Sequence, residues 1–488
     1  MRWGPTTLPR CPCWPRNRGK GQCPGPQRRK QTDMSTQIST SPQTKPVPGP
    51  KGVPLLGNIL DLRSKGVLQF YLDAWREFGD VARFQMGPIE MFQFVRPEHV
   101  QHILVKNADN YIKALSHEKL RVPLGEGILT SEGERWRRQR RLMAPTFTPR
   151  AVTRFADIML AETQNLLRRW GAQPQGEPIV INQEMMRFAM SVISRSMFTL
   201  DIGEEFSEAG EALSFILEFA NKRTISLVDP PLFLPTPMNL ELKRSLQQLD
   251  DFLYGIIAER RQQPPGDDLL SILMQAKDER TGAVMTDEQL RDEVLITFFA
   301  GHETTATLLS WTWVLLAQHP EAEQRLHAEL DRVLGGRSPA LEDRDDLVYT
   351  GMVLDETLRL YSPVAVMARD TVADDQIDGY AIPAGSMVTI TPYITHRHPE
   401  FWERPEDFYP EHFSPEAVDA RHRYAYYPFG AGPRVCLGKH FALLEATLAL
   451  AELAQHYHLR LGPGQQVEAR WSGTLRPAGD VLMNLEAR

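Results

Sequence analysis

The chain is 488 residues long, 42% hydrophobic and 24% charged, with 55 basic and 62 acidic side chains and a net charge of −7. That length supplies a large core and would ordinarily be read as two or three domains, while the acidic balance excludes the basic face that nucleic acid binding requires. Three of the four cysteines lie in the first 33 residues, so the remainder, with Cys436 alone, can form no internal disulfide. With no export signal this predicts a cytoplasmic protein.

Residues 1–33 hold Cys11, Cys13 and Cys23, eight Lys or Arg, one acid (Asp33) and many prolines. They contain no apolar run that could serve as a signal or membrane helix. The composition reads as a basic, disordered Pro/Cys-rich extension, or as the product of a start codon placed upstream of a true start at Met34, with a three-cysteine metal site as a remote alternative. Without this stretch the net charge is −14, and residues 34–488 make up the folded domain.

Residues 34–50 stay polar and proline-rich, leading into Pro48-Gly49-Pro50-Lys51-Gly52-Val53-Pro54-Leu55-Leu56-Gly57-Asn58. Farther on, Arg135, Arg137, Arg138, Arg140 and Arg141 crowd a helical segment in which Trp136 precedes Arg140 by four residues; runs of this kind are usually solvated faces. Residues 227–235 read as an apolar loop between two helices. Thr286-Asp287-Glu288-Gln289 is a capping box that opens a helix running to about Gln318, before Pro320. The middle of this helix, Gly301-His302-Glu303-Thr304-Thr305, is poorly made: the glycine costs about 1 kcal/mol and the threonines are β-branched. Such a conflict marks either a helix kinked for packing or a functional site.

Asp355-Glu356-Thr357-Leu358-Arg359 predicts a helix ending before Pro363, with Glu356 and Arg359 on one side. Alone, a pair at this spacing is worth only about 0.2–0.5 kcal/mol. His396 and His398 are read as part of an irregular segment rather than as metal ligands. After Gly438, apolar residues at helical spacing predict a helix from Lys439 to Leu450 and beyond, so Cys436 lies at or just before a helix start. Free N–H groups and the helix dipole there lower a thiol pKa and hold a thiolate.

Cys436 is either inert filling or a ligand. Gly430, Gly432 and Gly438 let the backbone pass close to a flat bound object, and Arg434 matches a carboxylate. Zinc takes about four ligands, typically in close cysteine or histidine pairs, and the body of the chain offers no second cysteine. A single thiolate points to haem iron instead. The run Phe429-Gly430-Ala431-Gly432-Pro433-Arg434-Val435-Cys436-Leu437-Gly438 resembles the haem-binding loop of the cytochrome P450 superfamily.

The resemblance spans about residues 46–488 and implies one large domain, mainly α with small β-sheets (α+β), around a buried haem b (iron protoporphyrin IX) with Cys436 as axial ligand to the iron. Phe429, Gly430 and Arg434 would line the cofactor. Arg369 and the pair Trp136 and Arg140 match family positions that reach its propionates. Ala300-Gly301-His302-Glu303-Thr304 is similar to the oxygen-binding stretch, where Ala300 and Gly301 leave room over the iron. Thr304 would help deliver protons and Glu303 would link that relay to solvent. Glu356 and Arg359 resemble the family's buried structural pair, whose usual third member is an arginine; His412, in Pro410-Glu411-His412-Phe413, replaces it and predicts a weaker or pH-sensitive network. The entry segment at 48–58 is similar to that of soluble bacterial members, with no membrane anchor before it.

The implied activity is insertion of one atom of O2 into a C–H bond of a large lipophilic substrate, with two electrons from a separate ferredoxin or flavodoxin and its reductase, since no flavin or nicotinamide fingerprint is present. Residues 227–235, 364–367, 114–128 and 474–475 would border the substrate channel, and exposed apolar loops there allow peripheral membrane contact. Segments at 441–445, 474–477 and 391–395 look similar to a carotenoid-ring hydroxylase branch. The expected substrate is therefore a carotenoid or other terpenoid, with a long-chain fatty acid second and a monomeric protein. A peroxide-driven haem enzyme and a non-catalytic haem sensor are the rivals, and a zinc hydrolase is disfavoured by the missing ligand cluster.

Overall fold

A computed structural model describes residues 45–114, 121, 124–174, 176–198, 231–264, 266–278 and 280–488, together with positions 212, 215, 216 and 219. The cysteines expected to mark a tail, part of the 114–128 segment and residues 227–230 lie outside the described residues. Thr44–Arg488 forms one compact unit.

Helices dominate: α1 (Val67–Phe78), α2 (Gly133–Met143), α3 (Ala156–Gly171), α4 (Ile181–Phe198), α5 (Pro237–Gln262), α6 (Asp287–Gln318), α7 (Pro320–Leu334), α8 (Val348–Leu360) and α9 (Lys439–His456). The capping box predicted at Thr286 is present: the Thr286 hydroxyl accepts from the Gln289 N–H and the Gln289 side chain accepts from the Thr286 N–H, each at 3.2 Å. α6 and α9 are apolar around most of their circumference, as befits helices buried on all sides; Leu308, Leu309, Trp311, Val314 and Leu316 of α6 and Leu444, Leu448, Leu450 and Leu453 of α9 are all buried. α9 packs against α3 and α6, and α6 against α4.

The main sheet lies to one side, with strands β1 (Val81–Met86), β2 (Ile89–Phe94), β3 (Tyr111–Lys113), β4 (Met367–Thr371) and β5 (Met387–Ile390) in the order β1-β2-β5-β4-β3. β2 and β5 are parallel, and the other pairs are antiparallel. The β3 and β4 register sets Lys113 opposite Arg369. Residues 457–461 pair with 482–487, which also pair with 179–180. Two short hairpins, 375–382 and 469–477, complete the β structure. This is the mainly helical α+β architecture expected from the sequence. It sets the middle of α6 and the loop before α9 into the same helical core.

Candidate functional site

The loop before α9 is shaped by its glycines. Gly430 and Gly432 have φ of 72° and 67°, and a Cβ on Gly432 would stand 1.8 Å from the Leu104 carbonyl oxygen. The Cys436 N–H donates to the Phe429 carbonyl at 2.9 Å, which folds the ends of the loop together. Cys436 retains accessible surface although burial pushes its thiol up, so its sulfur lines an internal hollow rather than the outer face. The sequence expectation of a lowered thiol pKa is reversed here: the N–H groups of Gly438 and Lys439 and the Arg140 guanidinium do pull it down, but burial outweighs them. Donors aimed at the sulfur nevertheless suit a thiolate, and a metal deprotonates a coordinating thiol outright.

Cations surround this loop. Arg140 donates to the Val435 carbonyl at 2.7 Å. Arg434 donates to the Ser131 carbonyl at 3.2 Å, pairs with Glu132 and lies 4.2 Å from the centre of the Trp136 ring. Burial and then Arg434 pull Arg369 down to about 10. Lys113, which the sequence reading passed over, is held well below the ordinary lysine range by burial, Arg369 and Arg434. Glu132 is the acid that acts on both. Three partly desolvated cations against one carboxylate form a costly arrangement that an anionic ligand relieves. The remaining arginines of α2 are not a bare basic face: Arg135 pairs with Glu126, Arg137 with Glu134 and Asp109, and Arg141 with Asp278.

The second wall is formed by the middle of α6, a helix that packs against α9. Ala300 is exposed while most of the helix around it is buried, which sets it on a hollow. The Thr304 hydroxyl donates to the Ala300 carbonyl at 2.7 Å, and the His302 ring nitrogen Nδ1 lies 2.9 Å from the Phe298 carbonyl. Glu303 accepts from the Thr474 hydroxyl at 2.5 Å, a partner 171 positions away that sequence spacing could not reveal. Gly301 also serves packing: a Cβ there would come within 2.9 Å of Ile193 Cδ1, so the missing side chain lets α4 approach α6. Behind α6, the buried Glu445 of α9 is pushed well above the carboxylate range by burial, with Thr305 as its hydrogen-bond partner.

α8, which packs against both α6 and α9, carries a buried ion pair. Arg359 donates to Glu356 at 2.8 and 2.6 Å, and to the carbonyls of His396, Pro405 and Asp407 at 2.8, 2.6 and 2.8 Å. Glu356 also accepts from the Tyr409 N–H at 2.9 Å, and His412 Nδ1 stands 3.1 Å from it. His412 therefore occupies the third place of the network. Arg421, unsuspected from the sequence, donates to the His412 carbonyl at 2.8 Å and stacks 3.9 Å from the Trp402 ring centre. His396 takes the Tyr427 N–H at 3.0 Å and His398 meets Asp80 at 2.9 Å, so these histidines serve different partners.

Known proteins resemble this chain in sequence and in fold. Residues 47–482 match the family model described as cytochrome P450. The chain is 35% identical over 442 residues to cyclooctatin synthase of Streptomyces melanosporofaciens, covering 90% of this chain and 95% of that one. It is 30% identical over 440 residues to pentalenene oxygenase of Streptomyces avermitilis, covering 90% and 97%. The crystal structure of the cytochrome P450DA heme domain superposes with a TM-score of 0.84 at 27% identity, covering 91% of this chain and 98% of that one.

Proposed function

Because this chain belongs to the cytochrome P450 family, and is a haem-dependent monooxygenase on that account, we propose that it hydroxylates a terpenoid, carotenoids included, at an unactivated C–H bond. The observation that carries the reading is the presence in one helical core of two sets of groups: an accessible Cys436 thiol with a cationic cradle, and an exposed Ala300 beside Thr304 and Glu303. Haem b bound there supplies the activation of O2, with electron density pushed from a thiolate.

The protein's own groups divide the remaining work. Cys436 would hold the iron through its thiolate. Arg434, Arg369, Arg140 and Lys113 would hold the propionates, with Trp136 supporting Arg434 and with Phe429 and Gly430 lining the cofactor. Thr304, whose hydroxyl donates to the Ala300 carbonyl, would give up a proton where O2 is reduced, and Glu303, which accepts from Thr474, would restore it. A peroxide-driven reaction has no use for this acid and threonine. Two electrons come from a separate donor, a ferredoxin or flavodoxin with its reductase.

Two kinds of observation support the terpenoid reading. Relatives at 30–35% identity are named for cyclooctatin and pentalenene, both terpenoid compounds. In addition, residues 364–367, which lead into β4 and bring Met367 near Gly430, are apolar, with Val364 exposed. Titration of the haem-loaded protein with a cyclic terpenoid, a carotenoid and a long-chain fatty acid, followed through the Soret band, tests it. A shift toward high spin with a terpenoid and none with the fatty acid is expected; the reverse overturns the substrate class.

A further inference from the structure

A second cluster of ligating side chains lies away from the hollow, where α7 meets the strand 457–461. Glu323 and His327 stand one turn apart on α7, and His458 projects from the strand; one ligand atom from each lies within 4.8 Å of the others. Glu323 is 4% and His327 6% exposed, and the His458 side chain is 28% exposed. Two nitrogens here are orphaned. His327 Nε2 and His458 Nδ1 are both buried without a hydrogen-bond partner, although His458 Nδ1 lies 3.1 Å from Glu323 Oε1. Buried polar atoms normally find partners, and an unsatisfied imidazole nitrogen on each of two histidines clustered with one carboxylate calls for a shared ligand.

We propose that Glu323, His327 and His458 bind a zinc-class divalent ion that ties α7 to the strand 457–461. Two imidazoles and one carboxylate are a donor set for Zn2+ rather than for Ca2+ or Mg2+, which take oxygen ligands. In a tetrahedral site with bonds of about 2.0–2.1 Å, ligand atoms sit roughly 3.3 Å apart; Glu323 Oε1 and His458 Nδ1 already do so, and rotation of one ring brings in His327. The carboxylate is held for the purpose, because its second oxygen accepts from Arg460 at 2.7 Å, the kind of outer contact that orients a metal ligand.

The nearby cations do not oppose the ion. Arg460 also pairs with Glu486 at 3.3 Å and Arg488 with Asp331 at 2.5 Å, so three acids accompany two arginines. Three protein ligands leave a fourth position for water, on the side where His458 is accessible. The site gives the C-terminal hairpin a cross-link to the helical core, independent of the haem chemistry.

Equilibrium dialysis of the full-length, haem-loaded chain against Zn2+, with metal counted per chain, tests this. Haem occupies Cys436, and a background carrying Cys11→Ser, Cys13→Ser and Cys23→Ser removes the other thiols. One Zn2+ per chain is expected, with an X-ray absorption edge showing nitrogen and oxygen ligands. His458→Ala and His327→Gln should each weaken it by more than the roughly 10- to 100-fold that loss of an outer-shell partner costs. Unchanged Zn2+ retention in the His327→Gln protein, whose haem spectrum reports that it is folded, overturns the assignment, as does failure of the parent to retain the ion.

Discussion

The two walls of the hollow hold their functional groups by different means. On the cysteine side the position of every group is fixed from outside the loop: Gly432 presses on the Leu104 carbonyl, Arg140 reaches across from α2 to Val435, and the Glu356 and Arg359 pair stitches α8 to the segment 396–412. On the α6 side the contacts are local or single: Thr304 bonds to its own helix, and Glu303 has one hydroxyl partner. A metal ligand must not move, whereas a proton carrier must exchange partners. The first wall should therefore pay for substitutions in stability and the second in chemistry.

The largest stability loss is expected on the cysteine side. Arg359→Ala leaves Glu356 buried and uncompensated, and should cost about 3–5 kcal/mol, read as a lowered denaturant midpoint and poor haem retention. A loss under about 1 kcal/mol would mean that His412 and the Tyr409 N–H already satisfy Glu356. Gly432→Ala comes next. It combines a left-handed backbone with a Cβ driven into a carbonyl, and about 2–4 kcal/mol is expected together with faster release of haem to apomyoglobin. A near-neutral outcome would show that the loop can retreat from Leu104, and the contrast between the walls would weaken.

A pH series probes the α6 wall away from its reacting centre. Burial pushes Glu293 up to about 8, with Asp292 adding to the rise while the Ile128 N–H and Arg135 oppose it. The folded carboxyl therefore binds a proton more tightly than the unfolded one. Its stabilising effect is complete below the unfolded value of about 4.5 and is lost as pH rises through 8. Between pH 6 and 8 the wild type should lose about 2 kcal/mol relative to Glu293→Gln. Parallel unfolding profiles for the two proteins would place the Glu293 carboxylate in its ionised form, held by Ile128.

Legibility in the sequence followed the same division. The cysteine loop could be read because its chemistry is compressed into ten residues, and the Glu356 and Arg359 pair because helical spacing binds it. The capped α6 and the helix after Cys436 were legible from local pattern alone. What could not be read depends on tertiary approach. Lys113 joins the cationic cradle only through the pairing of β3 with β4, Arg421 enters the buried network as a stacked partner of Trp402, and Glu303 finds Thr474 across the fold. Gly301 carries a tertiary constraint of the same kind, since its small size also admits Ile193 of α4. The thiol pKa shows another, since the helix start was visible in sequence but the burial that outweighs it was not.

The smallest effect on stability carries the sharpest test of the contrast. Thr304 is mid-helix and bonded back to Ala300, an arrangement that does little for a helix or slightly bends it, so Thr304→Ala should change stability by less than about 0.5 kcal/mol. Haem binding and the substrate-induced spin shift should be unaltered, because Thr304 supports neither. Product formed per electron consumed should nevertheless fall severalfold, with hydrogen peroxide making up the difference, if the proton proposed to come from Thr304 decides whether reduced oxygen is cleaved or released. Thr304→Ser, which keeps the hydroxyl, should restore most of the coupling. If Thr304→Ala couples as well as the wild type, the proton comes from elsewhere, and Glu303 through Thr474 becomes the group to vary next. If it loses stability as Gly432→Ala does, the two walls are built alike after all.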